Sequence, residues 1–203
     1  MLFRSDSVKY TGNDSSVVAF FKTTSYNNTN GTLTEFDSYI TPLEDPSLDW
    51  ADYDLDGKID LLMTGQDTIS GGQYLTFVYK NYGTNGFFIE HTLEGISGEA
   101  KWGDYNNDGY PDIALTGKSN TTYETQIYKN INGTDFQLVF DATPGLRYSR
   151  ADWGDYDNDG DLDLLNTGTI TNEEDAHGYL YRNDDNDIDR KSTRLNSSHG
   201  KLS

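Results

Sequence analysis

Three short acidic segments are the part of the sequence whose residue types and spacing could do chemistry. Each follows the pattern Asp-x-Asp/Asn-x-Asp-Gly-x-x-Asp, so side-chain oxygens fall at positions 1, 3, 5 and 9 around a glycine at position 6. Two carboxylates about 4 Å apart repel each other by roughly 1 kcal/mol even in water. We therefore expect a bound cation among them. The residues concerned are Asp52, Asp54, Asp56 and Asp60; Asp104, Asn106, Asp108 and Asp112; and Asp155, Asp157, Asp159 and Asp163.

The oxygen-only character of these segments favours calcium. Side chains at positions 1, 3 and 5 converge only where the backbone curls tightly, and the glycine permits that curl. A backbone carbonyl at position 7 would add an oxygen, and water would complete a shell that suits Ca²⁺ better than the strict octahedron of Mg²⁺. No histidine or cysteine lies within the segments, which argues against zinc. We predict about three Ca²⁺ ions, one per segment, with position 7 carbonyls from Lys58, Tyr110 and Asp161.

The EF-hand is the main alternative for a loop of this kind. Its loop ends with a bidentate glutamate at position 12, whereas that position here holds Met63, Leu115 and Asn166. The flanking segments also have the composition of strands rather than helices. The sequence therefore argues against an EF-hand, and three copies in phase with a longer repeat argue against chance acidic turns.

The longer repeat indicates the elements that position the acidic segments. Thr-Gly pairs recur about every 52 residues, ending at Gly12, Gly65, Gly117 and Gly168. Each full period has a tryptophan two residues before the acidic segment, a short apolar strand after it, and a further strand that ends in Tyr-Lys-Asn or Tyr-Arg-Asn. That is about four short strands per unit of about 50 residues, as in a β-propeller blade. We predict an all-β fold of four-stranded antiparallel blades.

The same repeat divides the chain into units. A propeller needs roughly four to eight blades to close, so we expect an incomplete portion of a larger ring. The composition changes at Asp189, after which basic residues are frequent and no apolar pattern continues; we expect this stretch to be a non-native tail. The predicted units are the end of a first repeat at 1–12, blades at 13–65, 66–117 and 118–168, a truncated blade at 169–188 and the tail at 189–203.

Composition excludes several classes of function. The formal charge of −19, from 34 acidic and 15 basic residues, disfavours nucleic acid and anionic membranes as partners. No cysteine is present, which excludes disulfides and thiolate sites. No apolar run approaches the ~20 residues of a membrane span, and residues 1–10 lack the apolar core of a signal peptide. None of the three histidines, His91, His177 and His199, has a nucleophile motif near it, so we predict no catalytic residues.

The repeats resemble the FG-GAP and VCBS repeats, the calcium-loop propellers of integrin α-subunit heads and of many bacterial exported proteins. The resemblance rests on "DWADYDLDGKIDLL", "KWGDYNNDGYPDIAL" and "DWGDYDNDGDLDLL" with the following "YKN" or "YRN", and it covers about residues 5–187. It implies a seven-bladed propeller outside the cytoplasm, at the surface of or secreted from a bacterium. The departures are Asn106 in place of Asp, a missing loop before Gly12 and too few blades.

We therefore predict a non-catalytic, calcium-binding module for adhesion or recognition. Its partners would be the remaining blades of the parent chain and a protein or glycan ligand. The alternatives are the propeller domain of a calcium-dependent carbohydrate-active enzyme, such as a polysaccharide lyase, and a lectin. A catalytic site should break the repeat with unmatched Lys, Arg, Tyr or His residues on the channel face of one blade, and the repeats as aligned above show no such blade.

Overall fold

The computed structural model describes most of the acidic repeats and little of either terminus. Among the residues it describes there is no α-helix, and strands alternate with short loops. The all-β prediction is confirmed. The described residues are 4–5, 23–29, 32–38, 40–68, 71–143, 145–170, 176–184 and 187–191.

The strands form four antiparallel sheets in which each strand pairs with its neighbours in the chain. A three-stranded sheet comes first, made of β1 (Arg4–Ser5), β2 (Thr23–Thr29) and β3 (Thr32–Ser38). Sheet I contains β4 (Glu44–Ala51), β5 (Asp60–Asp67), β6 (Gln73–Asn81) and β7 (Phe87–Glu94). Sheet II contains β8 (Ile96–Gly103), β9 (Asp112–Ser119), β10 (Tyr123–Asn130) and β11 (Phe136–Ala142). Sheet III contains β12 (Arg147–Gly154), β13 (Asp163–Thr169), β14 (Ala176–Asp184) and β15 (Asp187–Lys191).

Sheets I, II and III have the four-stranded meander of propeller blades, which confirms the predicted fold class. They are not closed into a ring. The Thr-Gly pairs lie within the second strand of each sheet, so a unit cut after the glycine takes its strands from two adjacent sheets. The predicted division into units therefore follows the repeat rather than the sheets, and the unit at 1–12 lies outside the described residues apart from 4–5.

The outermost strand of sheet III includes the beginning of the predicted tail. Asp189, Arg190 and Lys191 belong to β15 and pair with Arg182, Tyr181 and Leu180 of β14. This strand occupies the edge that β7 and β11 occupy in the other two sheets. Residues 192–203 lie outside the described residues.

The core lies between the faces of neighbouring sheets. One cluster joins Leu62 and Val78 of sheet I to Ile113 and Leu115 of sheet II, and a second cluster joins sheets II and III in the same way. The second strands of sheets I and II have a paired strand on both sides and buried residues on both faces. In β13 of sheet III, Leu164 is buried but Leu165 is 45% exposed. Burial on both faces accounts for the nearly continuous apolar runs after the acidic segments of sheets I and II, in place of the polar alternation of a half-exposed strand.

Aromatic pairs connect the acidic segments to this core. Tyr53, at position 2 of its segment, stacks on Trp102 of the next sheet with ring centroids 6.0 Å apart and planes 3° apart. Tyr105 stacks on Trp153 at 6.4 Å and 14°. At Gly103 a Cβ atom would lie 2.5 Å from Cδ1 of Trp153, so the close approach of the tryptophan requires glycine there. The first two acidic segments are thereby held against the following blade, whereas the equivalent Tyr156 of the third is 48% exposed.

Candidate metal centre

The acidic segments connect the first and second strands of sheets I, II and III. We call residues 52–60, 104–112 and 155–163 loops one, two and three. All three lie at the same end of their sheets, because each joins β4 to β5, β8 to β9 or β12 to β13. The structure therefore places the predicted ligands in one repeated position.

The aspartate at position 1 holds the curl of each loop. Its two carboxylate oxygens accept the backbone N–H groups of positions 5 and 6, in loop one from Asp56 at 3.0 Å and Gly57 at 2.9 Å to Asp52. Asp104 and Asp155 accept the equivalent pairs at 2.8 to 3.1 Å. The carboxylate at position 5 then accepts the N–H of position 7 at 3.0 Å in all three loops. These bonds keep the side chains of positions 1 and 5 within the curl.

Two residues in each loop have left-handed backbone conformations. The glycine at position 6 has φ of 86°, 90° and 99° in loops one, two and three, which is the reason for its presence. Position 4 has φ of 58° at Leu55, 56° at Asn107 and 61° at Asn158. Asparagine tolerates this conformation better than leucine does. The motif shows the glycine but gives no sign of the second turn.

The aspartate at position 9 is buried and joins the loop to the third strand of its sheet. One oxygen accepts the N–H of position 2, and the other accepts the N–H of the asparagine at the end of the third strand. Donor–acceptor distances run from 2.7 to 3.3 Å. The aspartates are Asp60, Asp112 and Asp163, all fully or almost fully buried, and their partners are Asn81, Asn130 and Asn183.

Burial changes the proton affinity of two of these aspartates. Loss of hydration raises the pKa of Asp60 to about 6, and the charges of Asp54 and Asp56 raise it further. The same burial raises the pKa of Asp112 to about 7, with a contribution from Asp108. In both cases the two backbone N–H groups oppose the shift without cancelling it. A buried carboxylate near other carboxylates is a position where a divalent cation would favour the ionised form.

Loops one and three each bring three acidic side chains together. Carboxylate oxygens of Asp52, Asp54 and Asp60 lie within 4.8 Å of one another, and so do those of Asp155, Asp157 and Asp159. The fourth predicted aspartate of each loop lies outside the group of three. In loop one, Asp56 accepts a hydrogen bond from the Lys58 ammonium at 2.8 Å. In loop three, Asp163 accepts hydrogen bonds from backbone N–H groups. Loop two has an amide at position 3, where the Asn106 nitrogen donates to Asp112 at 3.2 Å.

A lysine or arginine from the third strand reaches into each loop. The Lys80 ammonium contacts the carboxylate of Asp54 and lies 3.5 Å from that of Asp56. Lys129 lies 3.3 Å from Asp108, and Arg182 lies 3.0 Å from Asp157. The sequence prediction included the Tyr-Lys-Asn and Tyr-Arg-Asn strand ends without giving these cations a role. Their recurrence at one position of every repeat is the signal that could have identified them.

The asparagine after each of these cations connects successive loops. The Asn130 side chain donates to the Pro111 carbonyl of loop two and to the Tyr53 carbonyl of loop one, both at 2.9 Å. Asn183 donates in the same way to Leu162 of loop three at 3.3 Å and to Tyr105 of loop two at 2.6 Å. Neighbouring loops are thus bonded to each other through the interior.

The donor set fits a hard divalent cation. Every predicted ligand atom is a carboxylate, amide or backbone oxygen, which are the donors that Ca²⁺ takes. Lys58, Tyr110 and Asp161 stand at position 7, where their N–H groups are bonded to position 5. The three position 7 residues are therefore held next to the carboxylates at position 5.

Comparison with protein families supports the interpretation of the repeat. A family model described as an FG-GAP-like repeat matches residues 104–165, from the first residue of loop two into the strand that follows loop three. A comparison with curated proteins gives no significant match. None of the described residues forms a helix long and apolar enough to cross a membrane. The predicted resemblance to FG-GAP repeats is confirmed, and residues 104–165 carry the match.

Proposed function

We propose that this chain is a calcium-binding propeller module that serves adhesion or recognition on an exported protein. The observation that carries the metal assignment is the repeated loop geometry, which draws three carboxylates within 4.8 Å in loops one and three. The ligands would be the side chains at positions 1, 3, 5 and 9 and the carbonyls at position 7, as predicted from the sequence. The calcium ion would supply folding energy, because it binds the curled loop and not the unfolded chain.

The lysine and arginine charges at the loops do not balance all of the loop carboxylates. Lys80 and Lys58 supply two positive charges to loop one, against four carboxylates at positions 1, 3, 5 and 9. In loop three Arg182 contacts two of the acidic groups. Each loop therefore retains more negative than positive charge. A divalent ion would balance the remainder in a way that a single ammonium group does not.

Calcium titration calorimetry tests this proposal. We expect about three sites per chain. Asp159→Ala should remove or weaken one site, because position 5 supplies a ligand oxygen. Asp161→Asn is the matched control: it removes the same charge from the same loop, keeps a side-chain oxygen that can accept from Asn107, and leaves the backbone carbonyl of position 7 in place. Equal loss in both variants would mean that calcium responds to net charge alone, and no heat from folded native protein would remove the metal assignment.

The recognition role is supported by the resemblance to adhesion propellers and by a groove at the other end of the sheets. The resemblance also supports an exported location and a non-catalytic role. Recognition requires a surface outside the metal loops, because the loop carboxylates are directed at their own backbone and at the strand cations. A surface of that kind is present where the first strands of the sheets begin.

A further inference from the structure

A groove of about 890 Å³ lies at the end of the sheets opposite the acidic loops. Residues at the beginning of the first strands, at the end of β9 and at the beginning of β6 and β10 line it, so sheets I, II and III all contribute. Its volume is in the range of small-ligand sites, roughly 300 to 1,000 Å³. The residues that matter below are Tyr74, Lys118, Tyr123, Arg147, Tyr148 and Arg150.

The repeat is broken on the strand of sheet III that lines this groove. When the sheets are aligned on their tryptophans, Trp50, Trp102 and Trp153, three positions at the beginning of β12 have no counterpart in the other first strands. Sheet III holds Arg147, Tyr148 and Arg150 where sheet I holds Glu44, Asp45 and Ser47 and sheet II holds Ile96, Ser97 and Glu99. The sequence prediction did not identify these unmatched arginine and tyrosine residues, although an alignment on the tryptophans shows them. A repeat that diverges where three blades meet indicates a function beyond packing.

The groove contains the lysine and arginine side chains that lack an acidic partner. Every other Lys or Arg whose side chain the structure describes has a carboxylate oxygen within 3.7 Å. Lys118 and Arg147 have none among the described residues, although the chain carries a net charge of −19. Asp45 and Glu99 also line the groove, and Glu99 is paired with Arg150 and Lys101. The two cations that remain without an acidic partner indicate that an anion from outside binds beside them.

Arg147 is held in position to bind that anion. Its guanidinium carbon lies 5.5 Å from the ring centroid of Tyr123 and 5.4 Å from that of Tyr148, distances at which a cation is attracted to a ring face. Its Nε atom is buried and has no hydrogen-bond partner among the residues that the structure describes, which is costly unless a ligand accepts from it. A planar guanidinium fixed in this way suits a carboxylate that accepts two N–H groups.

Tyr148 has an exposed side chain and a strained backbone conformation. Its side chain is 80% exposed, and its φ of 50° is left-handed, at a bulge between Arg147 and Arg150 in the pairing with β13. Sheet I has the same bulge with Asp45 at φ of 48°, and aspartate tolerates that conformation better. The bulge belongs to the repeat, but a tyrosine at this position is not what the backbone favours, and strained residues of this kind cluster at binding sites.

We infer that this groove binds an acidic oligosaccharide, with a uronate carboxylate on Arg147 and sugar rings against the tyrosines. Lys118, which lies 5.4 Å from the Tyr74 ring centroid, provides a second anion site. The lining offers serine and tyrosine hydroxyls and ring faces, which match the hydroxyls and C–H faces of sugars. It offers few aliphatic side chains for an acidic peptide. The inference deepens the proposed recognition role and rests on it, but it is independent of the calcium sites.

Titration calorimetry of the full chain with trigalacturonate tests the inference, and its methyl ester is the uncharged control ligand. We expect the acid to bind and the ester to bind about tenfold or more weakly. Arg147→Gln should weaken trigalacturonate binding by about ten- to a hundredfold, and Arg147→Lys should recover only part of it, because lysine lacks the planar fork. Tyr148→Ala should also weaken binding. Tyr82→Ala, which removes another exposed tyrosine that does not line the groove, should leave binding unchanged.

The outcomes separate this inference from the calcium proposal. Failure of the native chain to bind trigalacturonate, or equal binding by the native chain and a folded Arg147→Gln variant, would overturn the inference. Arg147-dependent binding of hexaglutamate without binding of trigalacturonate would replace the glycan with a peptide. Calcium titration of the same samples tests the loops separately, so the result for the metal sites does not depend on the result for the groove.

Discussion

At the scale of single residues, the left-handed backbone at position 4 is the clearest mismatch between residue and conformation. Leu55 has φ of 58° and is 54% exposed, whereas loops two and three have asparagine at this position. Its side chain therefore contributes little burial against the conformational cost.

We expect Leu55→Asn to raise the free energy of unfolding by about 1 kcal/mol, because a left-handed conformation costs leucine more than asparagine. Urea unfolding in calcium measures the change. Asn158→Leu in loop three is the reverse substitution at the matching position and should lower the free energy of unfolding by a similar amount. Two neutral results would show that position 4 carries no conformational strain.

The buried aspartates predict how the stability of the metal-free protein depends on pH. Burial raises the pKa of Asp60 to about 6 and of Asp112 to about 7, so the folded chain retains protons that the unfolded chain releases above about pH 4. Stability from these groups is therefore complete below that pH and is lost as pH rises through 6 and 7. We expect the urea midpoint in EDTA to fall between pH 5 and 7.5, and Asp112→Asn to reduce the slope. A midpoint that rises over this interval would contradict the shifts.

At the scale of elements, the asparagine that ends the third strand joins one acidic loop to the next. Asn130 and Asn81 occupy the same position and both accept an N–H from a glycine that follows. Asn81 donates to its own loop, at Ile59, whereas Asn130 also donates to Tyr53 of the preceding loop. The hydrogen bond from sheet II to loop one therefore distinguishes Asn130 from Asn81.

Asn130→Ala should lower the free energy of unfolding by about 2 to 3 kcal/mol, because it leaves buried carbonyl groups of both loops without their donor. Asn81→Ala is the matched control and should cost less, since that side chain bonds one loop and is more exposed. Urea unfolding of both variants in calcium gives the difference. Equal costs would mean that the bond between loops one and two contributes nothing to stability.

The strands and loops could be predicted from the repeat, whereas the contacts between sheets could not. The tryptophan, the acidic segment and the following apolar strand are contiguous in the chain, so their order and the all-β fold could be predicted from the sequence. The hydrogen bond from Asn130 to Tyr53 joins residues 77 positions apart, and no local sequence pattern predicts it. The groove could not be predicted for the same reason, because it is formed by a bulge at Tyr148 and by residues from three sheets. The full ligand set of the loops stays a prediction, because the structure brings together three of the four predicted side chains in loops one and three.

At the scale of the whole molecule, the excess of negative charge opposes the compact state. The chain carries −19 at neutral pH, and the acidic loops lie next to one another at one end of the sheets. Asn107 of loop two donates to the Asp161 side chain of loop three at 2.8 Å, so adjacent loops are in direct contact. Metal-free loops would repel across this contact, and ions in the loops would reduce the repulsion.

Removal of calcium should therefore lower the thermal stability of the whole chain. At ten times its Kd, each ion that binds only the folded form adds about 1.4 kcal/mol, so three ions correspond to about 10 °C in Tm for a chain of this size. Adding salt in EDTA should recover part of the loss by screening the carboxylates, and it should change Tm little in calcium. Magnesium at the same concentration is the control and should stabilise less, because it demands a strict octahedron. If Tm were the same in calcium and in EDTA, the loops would be stable through their own hydrogen bonds and strand cations alone.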